Sequence, residues 1–325
     1  MAKPRSSGPD GAFHEGELAV QEATGERAIA ERNSRMMSST VAASPAAFLA
    51  QQRMLVVASA DAAGAMWASL LFGEQGFAGS SGEHVTLDLE RAQIAPEDAL
   101  LQNLRAGAAL GLLAIELGSR RRYRTNGFVS TLTATRVELA VREAYVNCPK
   151  YIQRRKLHES DAPPAPSAPV ARGTLLDRER VARIGRADTL FVASQHPGRG
   201  ADASHRGGEP GFLEVLDART LRVPEYAGNG LYNTLGNFVV SNSAGLAIVD
   251  FDDGRVIQLT GTASVVLDPR AAGVLGGSGG PESADSNATG RYWDFSVTRW
   301  TELQLPKTLR WELLDRSPFN PALPV

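Results

Sequence analysis

Leu55–Phe77 and Leu190–Phe212 can be laid over one another without a gap, and 10 of the 23 positions are identical. Ordinary composition would give about one or two. A chain carrying the same stretch twice is held to building the same local structure twice, so the fold must accommodate two copies of one unit. The shared positions are small, turn-forming or packing residues, as in Ala68-Ser-Leu-Leu-Phe-Gly-Glu-Gln-Gly-Phe77 against Ala203-Ser-His-Arg-Gly-Gly-Glu-Pro-Gly-Phe212. The copies part where Leu70 and Leu71 stand opposite His205 and Arg206. One copy keeps polar side chains where the other has turned apolar, which places the chemistry in the second copy. At 325 residues there is room for two domains with cores of their own.

Short apolar runs at regular spacing, punctuated by turn residues, predict an antiparallel barrel or sandwich. In the first unit, strands are expected at Met54–Ala60, then to about Phe72 after a turn, and at His84–Leu89, Ala109–Leu117, Arg122–Leu132 and Val137–Glu143. A helix is expected at Pro96–Arg105. Ala109–Leu117 is so continuously apolar that both its faces must be covered. The second unit is expected to repeat this, with a helix at Leu175–Ile184 and strands at Leu190–Ser194, Gly211–Val215, Leu221–Pro224, Gly245–Phe251, Arg255–Leu267 and Arg291–Leu303. Gly228–Val240 is a loop and helix, and Gly127 corresponds to Gly261, which carries the repeat beyond its best-matching window.

Outside these runs, Phe13 to about Met37 predicts an interrupted, mostly exposed helix, and Ser44-Pro45 opens another that carries Phe48 and Leu49. The proline of Asn147-Cys-Pro-Lys-Tyr-Ile-Gln153 opens a short helix. Residues 1–12 are predicted to be disordered, 160–170 with its four prolines to be an extended linker, and 269–290 to be a surface loop. The expected division is 1–44 N-terminal tail and helix, 45–158 first barrel, 159–173 linker, 174–305 second barrel and 306–325 C-terminal tail.

Composition narrows the function classes. A formal charge of −2 offers no electrostatic pull toward nucleic acid or an anionic membrane. No run of about 18 apolar residues spans a bilayer, and the first residues lack the apolar core of a signal peptide. The single Cys148 excludes an internal disulfide and a thiolate metal cage, and fits a reducing cytoplasm. The histidines show no metal-ligand spacing with carboxylates, so no metal site is expected. The run Arg120-Arg-Arg-Tyr-Arg124 reads by default as a solvated hairpin tip, and more sharply as an entrance attracting an anion.

In the second unit, groups able to hold an anion fall close together: His205, Arg206, the amides of Gly207 and Gly208, then Asn229, Asn233 and Thr234. Glycine lets backbone approach a ligand, arginine offers a planar donor fork, and a loop entering a helix supplies unpaired amides. The order "SHRGGEPGF", "RTLRVPEYAGNGLYNTLGNFVVSNSAGLAIVDF" and "RVIQLTGTASVV", with "NCPKYIQ" in the first unit, resembles the FMN-binding split barrels related to pyridoxamine 5′-phosphate oxidase. The resemblance covers roughly residues 50–270. It implies a six-stranded antiparallel split barrel that dimerises and binds FMN between subunits. Carried over, it puts Ser204, His205, Arg206 and Gly207 at the flavin edge and phosphate, Asn229 and Thr234 by the phosphate and ribityl chain, Gln258 at the ring, and Lys150 across the interface. The chain departs from the family at Gly230-Leu-Tyr-Asn233, where members often carry another basic residue.

One site that needs "SHRGG" from one barrel and "CPKYIQ" from another can be completed within a fused chain. Nothing like "CPKYIQ" is recognised after Leu267, so the expectation is a mainly β protein of two tandem split barrels. They form an intrachain pseudo-dimer with a single intact FMN site, the twin site being plugged by apolar side chains. The implied activity is that of an FMN-dependent oxidoreductase acting on a small molecule, with NAD(P)H or a separate electron donor and His205 as the catalytic candidate. The alternatives are a flavin-binding module without turnover and a split barrel that takes heme or a deazaflavin. The fused pair could dimerise again.

Overall fold

The computed structural model describes residues 11–160, 170–268 and 287–322. The expectations for 1–12, 160–170 and 269–290 lie mostly outside the described residues. Helices α1 (Glu15–Thr24), α2 (Arg27–Ser34) and α3 (Ala43–Ala50) lead into strands β1 (Met54–Ala60), β2 (Met66–Gly73), β3 (Ala78–Ser80), β4 (His84–Asp88) and β5 (Ala92–Gln93). Next come α4 (Ala99–Asn103), β6 (Ala109–Glu116), β7 (Arg121–Leu132), β8 (Arg136–Val146) and β9 (Arg154–Glu159). The second half runs β10 (Ala171–Gly173), α5 (Arg178–Arg186), β11 (Thr189–His196), β12 (Gly200–Gly207), β13 (Glu214–Val215) and β14 (Thr220–Pro224). It ends with α6 (Asn233–Val240), β15 (Ser243–Asp250), β16 (Arg255–Val266), β17 (Tyr292–Gln304) and β18 (Leu309–Asp315).

The chain is mainly β and builds two tandem split barrels that form an intrachain pseudo-dimer. The first sheet has the order β3-β4-β8-β7-β6-β1-β2-β5 and the second β13-β14-β17-β16-β15-β11-β12, with β10 added to β17. The repeated stretch is a hairpin in both, with Met54 opposite Phe72 in one and Thr189 opposite Gly207 in the other, the same register after the repeat's offset. Gly127 and Gly261 each sit at a register shift in the long strand pair, β7 with β8 and β16 with β17. A Cβ there would fall 2.1 Å from the Ala140 carbonyl oxygen or 2.0 Å from that of Ser296, so only glycine fits the bulge.

Period-two alternation explains the continuous apolar runs. On β1, Leu55 and Val57 enter the first barrel's interior, while Val56 and Ala58 enter a layer shared with Phe191, Ala193, Ala247 and Val249 of the second. Both faces are therefore dry. The approach is closest at two corresponding glycines, one on each barrel. A Cβ on Gly111 would lie 2.6 Å from Asp202 Cα on β12, and one on Gly245 would lie 2.5 Å from the Met66 carbonyl oxygen on β2.

Several sequence expectations change. Phe13–Met37 forms two helices, of which α2 is mostly exposed with Ala30 buried, whereas α1 buries Gly16, Glu17, Val20 and Gln21, and Gly16 meets Gly236 of α6 backbone to backbone. Pairing against a partner element overrides the weak amphipathic pattern. Asn147–Gln153 forms no helix but a turn into β9, and Pro306–Val325 is not simply a tail, because β18 pairs with β9. Ser204–Gly207 belongs to a strand, β12, which the polar His-Arg pair had masked. No helix among the described residues is long and apolar enough to cross a membrane.

The interface glycines give a test. Gly245→Ala should destabilise by about 1–3 kcal/mol through overpacking. Gly185→Ala, in α5 with open space around it, should instead stabilise by up to about 1 kcal/mol. Urea midpoints moving the same way for both would contradict the interface described.

Candidate functional site

The second face of β7 makes the site. Alternation sends Tyr123 into the first barrel's core and lays Arg121 over the Phe48 ring at 4.6 Å, which leaves Arg122, Arg124 and Asn126 facing the second barrel. There Arg124 Nη2 donates to Ser204 Oγ at 2.6 Å, and its Nη1 lies 3.1 Å from Asp202 Oδ1. Nη1 also donates to the Tyr145 hydroxyl at 2.7 Å. Asn126 Nδ2 donates to Asp202 Oδ1 at 3.0 Å. The Ser204 hydroxyl lies 2.7 Å from that of Thr234 in the first turn of α6. Arg124 is 6% exposed and Asp202 3%, so this is a dry ion pair whose partners come from different barrels.

Above this layer opens a cleft with about 790 Å³ of empty space, its mouth included. Of the residues singled out from sequence, Ser204, His205, Arg206, Gly207, Asn229, Thr234 and Lys150 line it together, and Arg122, Arg124, Cys148 and Asn233 join them. Arg206 pairs with the partly buried Glu225 at 3.1 Å. Lys150 Nζ donates to Asn287 Oδ1 at 2.9 Å and sits 5.4 Å from the Phe319 ring centroid. Asn229 is held at its backbone, its carbonyl accepting from Asn33 Nδ2 at 2.8 Å, while Glu17 Oε1 accepts from Asn233 Nδ2 at 2.6 Å. The N-terminal helices thus brace the loop that enters α6, and no side chain caps that helix.

Gln258 is elsewhere. It donates to the Ala68 carbonyl at 2.9 Å and to Asp98 Oδ2 at 2.8 Å, beside Ser69. Ser69 is the repeat partner of Ser204, and Gln258 corresponds to Arg124. Each barrel's long strand serves the other barrel's hairpin, so Gln258 belongs to the twin site and Arg124 to this one. The same crossing explains why the arginine run is no solvated tip: Arg122 and Arg124 point inward, and Arg120 pairs with Asp315.

The electrostatics are those of an anion site. Among the described residues that line the cleft, Arg122, Arg124, Lys150 and Arg206 face a single carboxylate, Glu225. Burial and the neighbouring Arg124 and Arg206 push Arg122 down to about 9, the mark of a guanidinium short of negative charge. Burial likewise raises Glu225 despite Arg206. His205 is pushed well below its usual range, first by burial and then by Arg122 and Arg206, so it is neutral at neutral pH. Its Nδ1 lies 3.2 Å from Arg122 Nη1, which can only donate, so the ring proton is on Nε2. Arg206 Nε, His205 Nε2 and Asn147 Oδ1 are buried with no hydrogen-bond partner among the described residues. Unmade bonds of this kind are costly, and a polar ligand would make them.

Backbone strain collects in the same place. Arg120, Tyr151 and Tyr232 are the non-glycine residues with positive φ among those described, at 54°, 66° and 59°. Tyr151 and Tyr232 line the cleft, and Arg120 Nε donates to the Ile152 carbonyl beside it.

The histidines hold one surprise, since His14, Glu15 and His196 bring ligand atoms within 4.8 Å of one another. Each imidazole Nδ1 accepts a backbone N–H, from Gly16 and Gly198, so each Nε2 carries the proton of the neutral ring. That tautomer opposes metal ligation.

No protein-family model matches the chain, and no curated protein does. Solved structures similar to it include the HupZ protein of Group A Streptococcus, at 14% identity over 39% of this chain and 99% of that one, with a TM-score of 0.31. A provisional pyridoxamine 5′-phosphate oxidase from Lactobacillus delbrueckii matches at 17% identity over 39% of this chain and 94% of its own, TM-score 0.31. An F420 reductase matches at 14% over 36% and 90%, TM-score 0.25.

Arg124→Gln, which installs the residue found at the twin position, strands the Asp202 carboxylate and should cost about 3–5 kcal/mol. Adding Asp202→Asn should restore much of the loss. Equal unfolding midpoints for the wild type and the single variant would contradict the cross-barrel pair.

Proposed function

We propose that the cleft binds FMN and that the protein is an FMN-dependent oxidoreductase acting on a small molecule, with one flavin site between the two barrels. The observation that carries this reading is the convergence of Arg122, Arg124 and Lys150 from one barrel with Arg206 from the other, against one lining carboxylate. Arg122, Arg206, Lys150 and the uncapped start of α6 would hold the phosphate, a dianion suited to several charge-assisted donors. The basic residue that relatives often carry at 230–233 is replaced here by charge from β7. FMN, when bound, supplies hydride or electron transfer at its ring.

The chain's own residues bind, orient and dry the site. His205 presents Nε2–H as a neutral hydrogen-bond donor, not as an acid at neutral pH. Phe212, Tyr151 and Tyr226 supply apolar walls. Arg206 is held against the cleft wall by its ion pair with Glu225. Heme ligation through His205 is disfavoured, because Arg122 occupies Nδ1 and leaves the proton on Nε2. The electron donor in this reading is NAD(P)H or a separate reductant.

Purified protein titrated with FMN should show the perturbed double band of bound flavin. Arg122→Ala should weaken binding by tenfold or more, since a hydrogen bond to a charged group is worth about 1.5–3 kcal/mol. Unchanged affinity in Arg122→Ala and Arg206→Ala, or a Soret band instead of a flavin spectrum, would overturn the assignment. Bound flavin that neither NADPH nor NADH reduces would favour the module without turnover.

A further inference from the structure

The twin of the cation cleft is not plugged. At the corresponding place, across the pseudo-dimer, lies a cavity of about 220 Å³. Leu70 faces this cavity, whereas Leu71 turns into the interior of the first barrel. The expected plug fails because Leu71 is taken up in the first barrel's core, which leaves Leu70 alone of the pair at the cavity.

Its walls were converted as a set. Leu70 stands for His205, Val256 for Arg122 and Leu305 for Cys148, while Gln258, the counterpart of Arg124, lies behind the wall against Asp98. Leu305-Pro306-Lys307 is a faded copy of Cys148-Pro-Lys150 in the same place after the last long strand, a match that sequence inspection missed. Phe72, Ile94 and Leu303 extend the aliphatic and aromatic part of the lining, and Gln93 and Gln304 add uncharged amides. The inward carboxyl, Asp98, is already satisfied by Ser69 Oγ, the Leu100 amide and Gln258 Nε2. Burial works against its charged form, and both of its oxygens already accept hydrogen bonds from the protein. Glu97 and Lys307 are the other charged lining residues.

We propose that this twin cavity is a second binding site, for an uncharged, largely apolar small molecule. The removal of guanidinium and imidazole at corresponding positions selects against anions, and the space left open is what a ring system needs. An apolar cavity of about 150 Å³ already accepts benzene. The inference uses none of the residues that carry the FMN reading and stands or falls separately from it.

The test uses the full-length chain and the neutral fluorophore N-phenyl-1-naphthylamine. Its emission should rise and shift blue on binding, saturating at about one molecule per chain. Val256→Trp and Leu70→Trp fill the cavity from different barrels, and each should weaken probe binding at least tenfold while leaving the far-ultraviolet circular dichroism and the FMN titration unchanged. A probe that fails to bind the wild type, or binds both folded variants as tightly, overturns the proposal. If one variant fails to fold, the other decides. FMN binding is read in parallel, so loss of one ligand site is distinguishable from loss of the other.

Discussion

Two backbones meet where Gly111 and Gly245 let them, and the rest of the molecule follows from that contact. Side chains at either position would drive into main chain of the other barrel, so the barrels share a dry layer with no room between them. That layer makes strands such as β1, β6 and β15 apolar on both faces. It also brings the long strand of each barrel against the hairpin of the other. Any site formed there is composite by construction, because neither barrel holds a complete set of donors.

The two composite sites have gone opposite ways while keeping one geometry. In one, arginine, lysine and histidine crowd around a single lining carboxylate, and the shortage of negative charge shows in the lowered Arg122 and the neutral His205. In the other, the same positions hold Leu, Val and Gln, and the buried carboxyl is tied down by three donors. The chemistry is separated by substitution at a few strand positions, with no change in the fold that presents them.

Much of this was legible in the sequence because the repeat is strong where backbone geometry is demanding. The hairpin strands, their register and the paired bulge glycines all follow from positions where only small residues fit. Most of the residues that line the cleft were also visible, since Ser204–Gly207 and Asn229–Thr234 are local motifs. What sequence spacing could not show was which copy serves which site. The family resemblance puts Gln258 at the ring, but strand crossing gives it to the twin, and the arginine run reads as a hairpin tip until alternation places Arg122 and Arg124 inward. The offset relating Val256 and Gln258 to Arg122 and Arg124 was the available signal. Helix α1 departs from expectation for a different reason: its burial depends on α6, far away in the chain, and on a glycine–glycine contact that leaves little hydrophobic pattern.

On the proposed reading, the fused barrels hold one anionic cofactor between donors on both. Isothermal titration calorimetry of the full-length chain with FMN tests this most directly. A single class of site is expected, with a stoichiometry of about one flavin per chain. Two flavins per chain, or no binding at all, would contradict it.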